Sequence, residues 1–191
     1  MRFDDGSTLR LYRQTVGEFG LYSGMELTDE QMQSLLKAAG EMSAKMRAVR
    51  ILSASSVSKK DLEQRLIRKG ENVSDAKNAV SWMEELDLVD DRKTAQQIVS
   101  RCISKGYGLM RAKQALFEKR IPKEYWQEAL EDYPDQMEYI LAFLQTKLRD
   151  CNDPKTLKKA MDALIRKGHS YSQIRKALNE LSFDADEFPE E

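Results

Sequence analysis

The chain has 191 residues, of which 33% are charged and 41% are apolar, and its formal net charge is −1. Its 9 Gly and 4 Pro are too few for an all-β fold rich in turns, and no apolar run approaches the ~18 residues of a membrane helix. Two cysteines and a single histidine, His169, are too few for a disulfide framework, a metal site or Ser-His-Asp catalysis.

These exclusions set the expectations for chemistry and location. We expect no enzymatic activity, no cofactor, no bound metal and no membrane partner. Acidic residues near the N-terminus, where a secretory signal would need an apolar stretch, favour the cytoplasm. Cys102 and Cys151 are expected to be small residues in or near a core, and His169 is expected to be a solvated residue at a helix junction.

Residues 1–41 are predicted to form a small β-hairpin followed by helices. The Asp5-Gly6 pair is a strong signal for a tight turn, and residues 8–12 alternate like a half-buried strand. Thr28 opens a pattern typical of a capping box. The helix that it begins is expected to last to about residue 39.

From about residue 42 the pattern is helical, and it repeats with a period of about fifty residues. Leu66, Leu116 and Leu164 lie 50 and 48 residues apart, and each is followed three positions later by a lysine. A repeat of this length indicates small helical units stacked in a row, which offer a long surface rather than a deep cavity. Such proteins usually bind a partner and catalyse nothing.

We therefore predict an all-α fold of tandem three-helix repeats in an elongated, curved body, with the hairpin and helix region at its N-terminus. The repeats are placed at 42–91, 92–134 and 135–181, and an acidic tail follows at 182–191. In the first repeat the helices are predicted near 43–54, 58–69 and 74–87.

Short polar residues mark where several of these helices should begin. Ser58 and Ser74 are predicted N-caps of the second and third helices, and Asp90 or Asp91 is predicted to cap the next one. Ser170 is predicted to open the last helix. Gly106 and Gly108 should interrupt the second repeat.

The small net charge conceals a strong segregation of charge along the chain. Residues 92–121 hold eight lysines and arginines against one acid, a local charge of +7, and residues 151–181 have a charge of +4. The neighbouring stretches 51–91, 122–150 and 182–191 are acidic, at −3, −4 and −5. Because fields in salt act over ~8–10 Å, this local distribution favours a polyanionic partner although the net charge does not.

The candidate binding residues share positive charge and helical spacing, apart from one tyrosine between two glycines. Lys155, Lys159 and Arg166 are spaced to lie on one face of a helix, opposite an apolar stripe. The functional interpretation is a discontinuous positive track for phosphates or for an acidic protein face. The set is Lys69, Arg101, Lys105, Tyr107, Arg111, Lys113, Lys119, Arg120, Lys155, Lys158, Lys159, Arg166 and Lys167.

Four of these residues have an alternative role that the sequence leaves open. Lys69, Lys119 and Lys167 stand at predicted helix C-termini, where the helix dipole attracts cations without any ligand. Tyr107 could stack on a base, or it could simply fill the corner between two helices.

Three motifs follow one another along the chain: Leu62-x3-Leu66-x2-Lys69-Gly70, then Leu86-x-Leu88-Val89-Asp90-Asp91-x3-Ala95, then Ser104-Lys105-Gly106-Tyr107-Gly108-x2-Arg111-x4-Leu116-x2-Lys119. In their order and spacing they resemble the RecX family, the regulatory proteins of the RecA recombinase.

The match spans about residues 48–131, and the third repeat extends it to about 181. Arg120 departs from the family pattern, which usually has glycine there.

The resemblance implies a tandem of three-helix repeats that binds along the groove of the RecA–single-stranded DNA filament. It also implies inhibition of ATP hydrolysis and strand exchange, in recombination, DNA repair and the SOS response. It brings no catalytic motif. The leading hypothesis is therefore a monomeric, non-enzymatic modulator of the RecA filament that contacts single-stranded DNA directly or through the filament.

Two alternatives come from other classes of protein. One is a general module for single-stranded DNA or RNA with no recombinase partner. The other is a helical-repeat scaffold that is indifferent to nucleic acid.

Overall fold

The computed structural model describes residues 1–149 and 153–181 of the chain. Within these ranges the backbone forms ten α-helices and one short 3-10 helix, Lys123–Tyr125, and no β-strand, so the all-α class is confirmed. The α-helices are α1 (Arg13–Glu18), α2 (Asp29–Ala54), α3 (Lys59–Arg68), α4 (Val73–Glu85), α5 (Asp91–Ser104), α6 (Leu109–Glu118), α7 (Trp126–Leu130), α8 (Met137–Leu148), α9 (Pro154–Arg166) and α10 (Tyr171–Glu180).

The chain forms two compact units, which we call unit 1 (Met1–Asp91) and unit 2 (Arg92–Glu191). In unit 1, helices α2, α3 and α4 enclose one core, in which Leu62, Leu66 and Met83 are fully buried. In unit 2, one core forms around Val99 and Leu116, and another joins α8, α9 and α10. The predicted division into three repeats, and their arrangement, stay predictions.

Helix α2 runs without a break where two helices were expected, one ending near residue 39 and one beginning near 43. Gly40 lies in its middle, and a Cβ at this position would come 2.6 Å from the Asp75 carboxylate. The glycine thus allows α4 to approach closely instead of ending the helix. Burial and the nearby Glu41 and Glu71 raise the pKa of Asp75.

The N-terminal hairpin is not confirmed. Arg2 and Thr8 form an isolated antiparallel bridge, and Gly6 turns the chain between them with φ +82°. The Phe3 amide donates to the Ser7 carbonyl at 2.9 Å. The turn was therefore anticipated, but the pairing on either side of it is too short to make strands.

Several predicted caps are confirmed, and one is wrong. Thr28 and Ser170 both form complete capping boxes, and the Ser58 hydroxyl accepts the amide of Asp61 at 3.1 Å. Ser74 is not a cap, because α4 begins one residue before it and Asn72 is its N-cap.

Asp91 combines a helix start with a tertiary contact. It begins α5, and its buried carboxylate accepts the Lys59 amide at 2.8 Å. Burial raises the pKa of this carboxyl group. The aspartate therefore joins the start of α5 to the start of α3.

Helices α3, α6 and α9 end in the same way. Their C-caps are Lys69, Lys119 and Lys167. In each case the amide two residues beyond the lysine donates to the carbonyl of the buried leucine, at 3.0–3.1 Å, which is a Schellman motif. The prediction that these lysines stand at helix C-termini is confirmed, and the periodic leucine is the residue that the motif anchors in the core.

No helix in the described ranges is both long and apolar enough to cross a membrane. Cys102 is a buried free thiol, as expected, and burial raises its pKa. Cys151 and the predicted acidic tail at 182–191 lie outside the described residues.

Candidate nucleic-acid interface

One face of helix α9 carries four of the nine lysines and arginines of the third predicted repeat. At 100° per residue, Lys155, Lys159 and Arg166 project within roughly 40° of one another. All three are exposed, as is Lys158 beside them. Asp162 lies on the same side, so the face keeps a formal charge of +3. We call this set, Lys155, Lys158, Lys159 and Arg166, the α9 basic face.

The opposite side of α9 is buried, which fixes the direction of the basic face. Leu157, Met161 and Leu164 are 8%, 6% and 0% exposed and pack into the core that α9 shares with α8 and α10. The predicted opposition of apolar and basic sides is confirmed. Among the described residues, the four basic side chains have no hydrogen bond or ion pair of their own.

The basic residues of the second predicted repeat are less uniform. Arg101 and Lys105 are exposed at the end of α5, and Lys113 is exposed on α6. Arg111 is half-buried, and its guanidinium forms an ion pair with Glu118 at 3.1 Å. Glu118 is the one acid already counted in the local charge of +7, so this ion pair occupies one of the eight cations without changing the sum.

The cap lysines differ from one another in exposure. Lys69 is exposed in unit 1, and its carbonyl accepts a hydrogen bond from Arg47. Lys119 and the adjacent Arg120 are half-buried at the end of α6. Arg120 has φ +54°, in the position where α3 and α9 are followed by Gly70 and Gly168.

Lys167 points into the protein rather than away from it. Its ammonium group lies 5.0, 5.6 and 5.7 Å from the ring centres of Tyr139, Phe143 and Tyr107 and donates to the Tyr139 hydroxyl. Such cation–π contacts are worth ~0.5–2 kcal/mol each. We call this arrangement the aromatic cage. The aromatic cage gives Lys167 structural partners inside the protein, and its role in binding a phosphate stays a prediction.

Tyr107 stands at the corner between helices. Its carbonyl accepts the Tyr133 hydroxyl at 2.6 Å, its ring forms one wall of the aromatic cage, and it is half-buried. Desolvation raises the pKa of Tyr133 to about 12, so that phenol stays a donor. These contacts favour the interpretation that Tyr107 fills the corner between two helices over the interpretation that it stacks on a base.

His169 is buried, and the expectation of a solvated residue is wrong. It is 3% exposed, its Nε2 is 3.0 Å from the Gly106 carbonyl, and its ring stacks on Tyr139. Burial is the main reason why its pKa is lowered, and the Lys167 charge adds to the effect. The contact joins His169 to Gly106, 63 residues earlier in the chain, so no local sequence signal indicated this burial.

A set of arginines in the N-terminal segment was missed by the sequence reasoning. Arg2 and Arg10 line a groove together with Arg47 and Arg50 of α2. Asp4 and Asp5 offset the charges of Arg2 and Arg10 in the local net charge of the N-terminal segment, so the sequence showed no basic region there. The sequence signal that could have revealed them is the alternation of side chains on either side of the Gly6 turn, which places Arg2 and Arg10 on one side.

Within residues 1–149 and 153–181, no group of three or more His, Cys, Asp or Glu side chains could hold a metal ion. The described part of the chain thus offers basic surfaces and no cluster of metal ligands.

Several curated relatives of this chain are named regulatory protein RecX. A regulatory protein RecX of Clostridioides difficile is 28% identical over 189 residues, which cover 95% of this chain and 88% of the relative. One of Vibrio parahaemolyticus is 28% identical and covers 75% of this chain and 94% of its own length. One of Streptococcus gordonii is 26% identical, with coverages of 98% and 74%. No model of a known protein family matches the chain.

Solved structures share the fold. A crystal structure of a regulatory protein RecX superposes with a TM-score of 0.68 at 20% identity, covering 93% of this chain and 91% of that one. RecX from Lactobacillus salivarius gives a TM-score of 0.64 at 22% identity, with coverages of 76% and 98%. The resemblance to the RecX family that the sequence motifs indicate is confirmed by these relatives.

Proposed function

We propose that this RecX-like chain is a non-enzymatic regulator of the RecA recombinase that acts on the RecA–single-stranded DNA filament. The proposal rests on the similarity to proteins named RecX and on one structural observation, the α9 basic face. That face is an exposed surface of four cations on a rigid helix, and the opposite side of the helix is held in a core.

The α9 basic face is suited to a phosphate backbone. Its side chains are long and exposed, and they follow one side of a 13-residue helix, which is ~20 Å long. Cations spaced along such a length contact successive phosphates without reading the base sequence. A regulator that acts on filaments of any sequence needs this kind of contact.

The proposed mechanism is occupation of the filament groove. Tandem three-helix repeats would contact DNA phosphates through their basic segments and protein through the others, and so bridge neighbouring RecA protomers. Bridging blocks the groove or promotes disassembly, which suppresses ATP hydrolysis and strand exchange. The protein acts as a monomer in this proposal.

The test is the DNA-dependent ATPase activity of RecA on single-stranded DNA. We expect the protein to inhibit this activity at concentrations well below that of RecA, since one bound molecule affects several protomers. The variant Lys155→Gln/Lys158→Gln/Lys159→Gln/Arg166→Gln should lose at least about tenfold in inhibitory potency, because ~4 phosphate contacts disappear.

A matched control removes the same charge elsewhere. Lys37, Lys60, Arg68 and Lys77 are exposed in unit 1, and their replacement by glutamine should leave inhibition unchanged. If the α9 variant and the unit 1 control inhibited equally, the α9 basic face would have no role in inhibition. No inhibition by the unaltered protein would overturn the proposed function itself.

A second candidate is a general module for single-stranded nucleic acid, favoured by the same exposed cations. Comparison of binding to naked DNA and to the RecA filament separates the two. A filament regulator should bind the filament much more tightly, whereas a general module should bind both equally, with a salt slope of ~0.7 per phosphate on single strands.

A further inference from the structure

A groove of about 810 Å³ lies in unit 1, between the N-terminal segment and helix α2. Four of its lining residues are arginines, and none is acidic. The volume lies within the ~300–1,000 Å³ of ligand-binding clefts, so there is room for more than a single ion. We call it the arginine groove and define it by Arg2, Arg10, Arg47, Arg50 and Tyr12.

The local backbone directs these side chains into one space. Arg2 bridges Thr8 in antiparallel fashion, so the two side chains lie on the same side of the pair. Arg10, two residues after Thr8, falls on that side as well. On α2, Arg47 and Arg50 are three residues apart and therefore share a helix face.

One of the four arginines is already occupied. The Nε of Arg47 lies 2.9 Å from Glu71 Oε1, the Ser43 hydroxyl donates to the same oxygen at 2.9 Å, and Arg47 also donates to the Lys69 carbonyl. This network fixes Arg47 as part of the groove wall. Glu71 neutralises its charge.

The other three arginines are exposed, and their side chains have no hydrogen bond or ion pair with any described residue. The nearest carboxylates in the sequence do not neutralise these three arginines inside the groove. Asp4 and Asp5 are not among the lining residues, and Asp5 accepts the amide of Ser7 at 2.8 Å. The arginine groove therefore holds three guanidinium groups that are unpaired among the described residues and can bind an anion.

We propose that the arginine groove binds the phosphodiester backbone of a single-stranded nucleic acid. The planar guanidinium fork matches phosphate oxygens in a bidentate geometry. The half-buried ring of Tyr12, with Leu9 and Leu11 beside it, supplies a surface on which an unpaired base stacks. A duplex keeps its bases inside, so this combination selects a single strand.

The site lies in unit 1, apart from the α9 basic face of unit 2, and its ligand is free nucleic acid. Binding at the arginine groove is therefore independent of the proposed function, and it requires no recombinase.

The experiment measures binding of a fluorescently labelled oligo-dT of about 20 nucleotides by anisotropy, over a range of salt concentrations. The variant Arg2→Gln/Arg10→Gln/Arg50→Gln should bind at least about tenfold more weakly at low salt. The slope of log K against log salt should fall by about 2, which corresponds to three phosphate contacts at ~0.7 each. The variant should keep its thermal stability, because the three side chains have no partners in the described structure.

A control with the same charge change uses Arg13, Lys60 and Arg68, which are exposed and do not line the groove. Their replacement by glutamine should leave affinity and slope unchanged. Tyr12→Leu should weaken binding of oligo-dT but not of an abasic strand of the same length.

Unchanged affinity and slope in the groove variant would overturn the proposal. So would equal losses for duplex and single strand, or displacement by polyglutamate with no response to oligo-dT, which would assign the groove to an acidic protein. The anisotropy assay contains no recombinase, so a negative result would not bear on the proposed function. That function is tested separately by the ATPase assay.

Discussion

At the scale of single residues, Arg120 adopts a backbone conformation that suits glycine. The residues after the C-caps of α3 and α9 are Gly70 and Gly168, both with φ +90°, whereas α6 is followed by Arg120 with φ +54°. A side chain in the left-handed region costs roughly 1–2 kcal/mol. The departure from the family pattern thus has an energetic cost at one helix end.

We expect Arg120→Gly to be more stable than Arg120→Ala by about 1 kcal/mol, because both remove the arginine side chain beyond Cβ and only glycine adopts the left-handed backbone without strain, which outweighs its larger entropy in the unfolded chain. Urea unfolding measures the difference. At Lys113, inside α6, the order should reverse, with alanine more stable by about 1 kcal/mol. The same order at both positions would contradict the left-handed cap.

His169 links stability to pH, and the direction follows from its hydrogen bonds. Its Nε2 donates to the Gly106 carbonyl at 3.0 Å, while Nδ1 is buried and has no hydrogen-bond partner among the described residues. Protonation of Nδ1 would bury a charge near Lys167. Since the pKa of His169 is lowered from its ordinary value of 6.5 in the folded chain, the unfolded chain takes up the proton first.

The free energy of unfolding should therefore be fully retained above about pH 6.5 and decline as the pH falls below it, by at most ~1.4 kcal/mol per pH unit. In His169→Gln this decline should disappear, since glutamine does not titrate. Denaturant unfolding between about pH 7.5 and about pH 5.5 compares the two. The raised pKa values of Asp75 and Asp91 act in the opposite direction and are common to both proteins, so they cancel. Parallel pH profiles would show that His169 is solvated.

At the scale of elements, two loops of unit 2 meet without room for a side chain. The Gly108 amide donates to the Lys167 carbonyl at 2.9 Å, and the Met110 amide to the Gly168 carbonyl at 3.3 Å. A Cβ at Gly108 would overlap the Gly168 carbonyl. The start of α6 is thereby joined to the turn between α9 and α10, next to the aromatic cage.

We expect Gly108→Ala to destabilise unit 2 by about 3 kcal/mol, because the clash is with backbone that cannot turn aside. Trp126 fluorescence in a Trp82→Phe background reports unit 2, since the chain has two tryptophans. Gly17→Ala in α1, where a Cβ meets nothing within 4 Å, should be neutral or stabilising by up to ~1 kcal/mol. A small effect at Gly108 would mean that the loops separate readily.

The helices could be read from the sequence where local chemistry decides them. Thr28, Ser58 and Ser170 cap helices because a hydroxyl oxygen three positions before an amide is a short-range feature. The expected helix end near residue 39 was wrong, since Gly40 continues the helix and makes room for Asp75 from another helix. The burial of His169 depends in the same way on Gly106, 63 residues earlier.

The same contrast holds for the candidate surfaces. The α9 basic face follows from helical spacing within one element and was predictable. The arginine groove joins residues from two distant segments of the chain, and Glu71 decides which arginine is occupied. No local pattern contains that information.

At the scale of the whole molecule, basic and acidic regions nearly balance, so net charge says little about binding. The two proposed nucleic-acid surfaces lie in different units of one chain. Once one surface holds a strand, contact of the second with that strand is intramolecular, with an effective concentration that can reach the millimolar range. Length of the strand then becomes a determinant of affinity.

We expect affinity for single-stranded DNA to rise more than in proportion to length between about 15 and about 60 nucleotides, since a short strand occupies one site of ~4–16 nucleotides at a time. Anisotropy titrations with oligo-dT of increasing length measure this. The α9 quadruple variant should keep its affinity for short strands, whereas the groove variant (Arg2, Arg10 and Arg50 to glutamine) should bind them about tenfold more weakly, as expected above. Both variants should lose the extra gain on long strands. If either variant kept the full gain, the surface that it lacks would take no part in holding the strand, and the length dependence would have to come from successive molecules binding side by side.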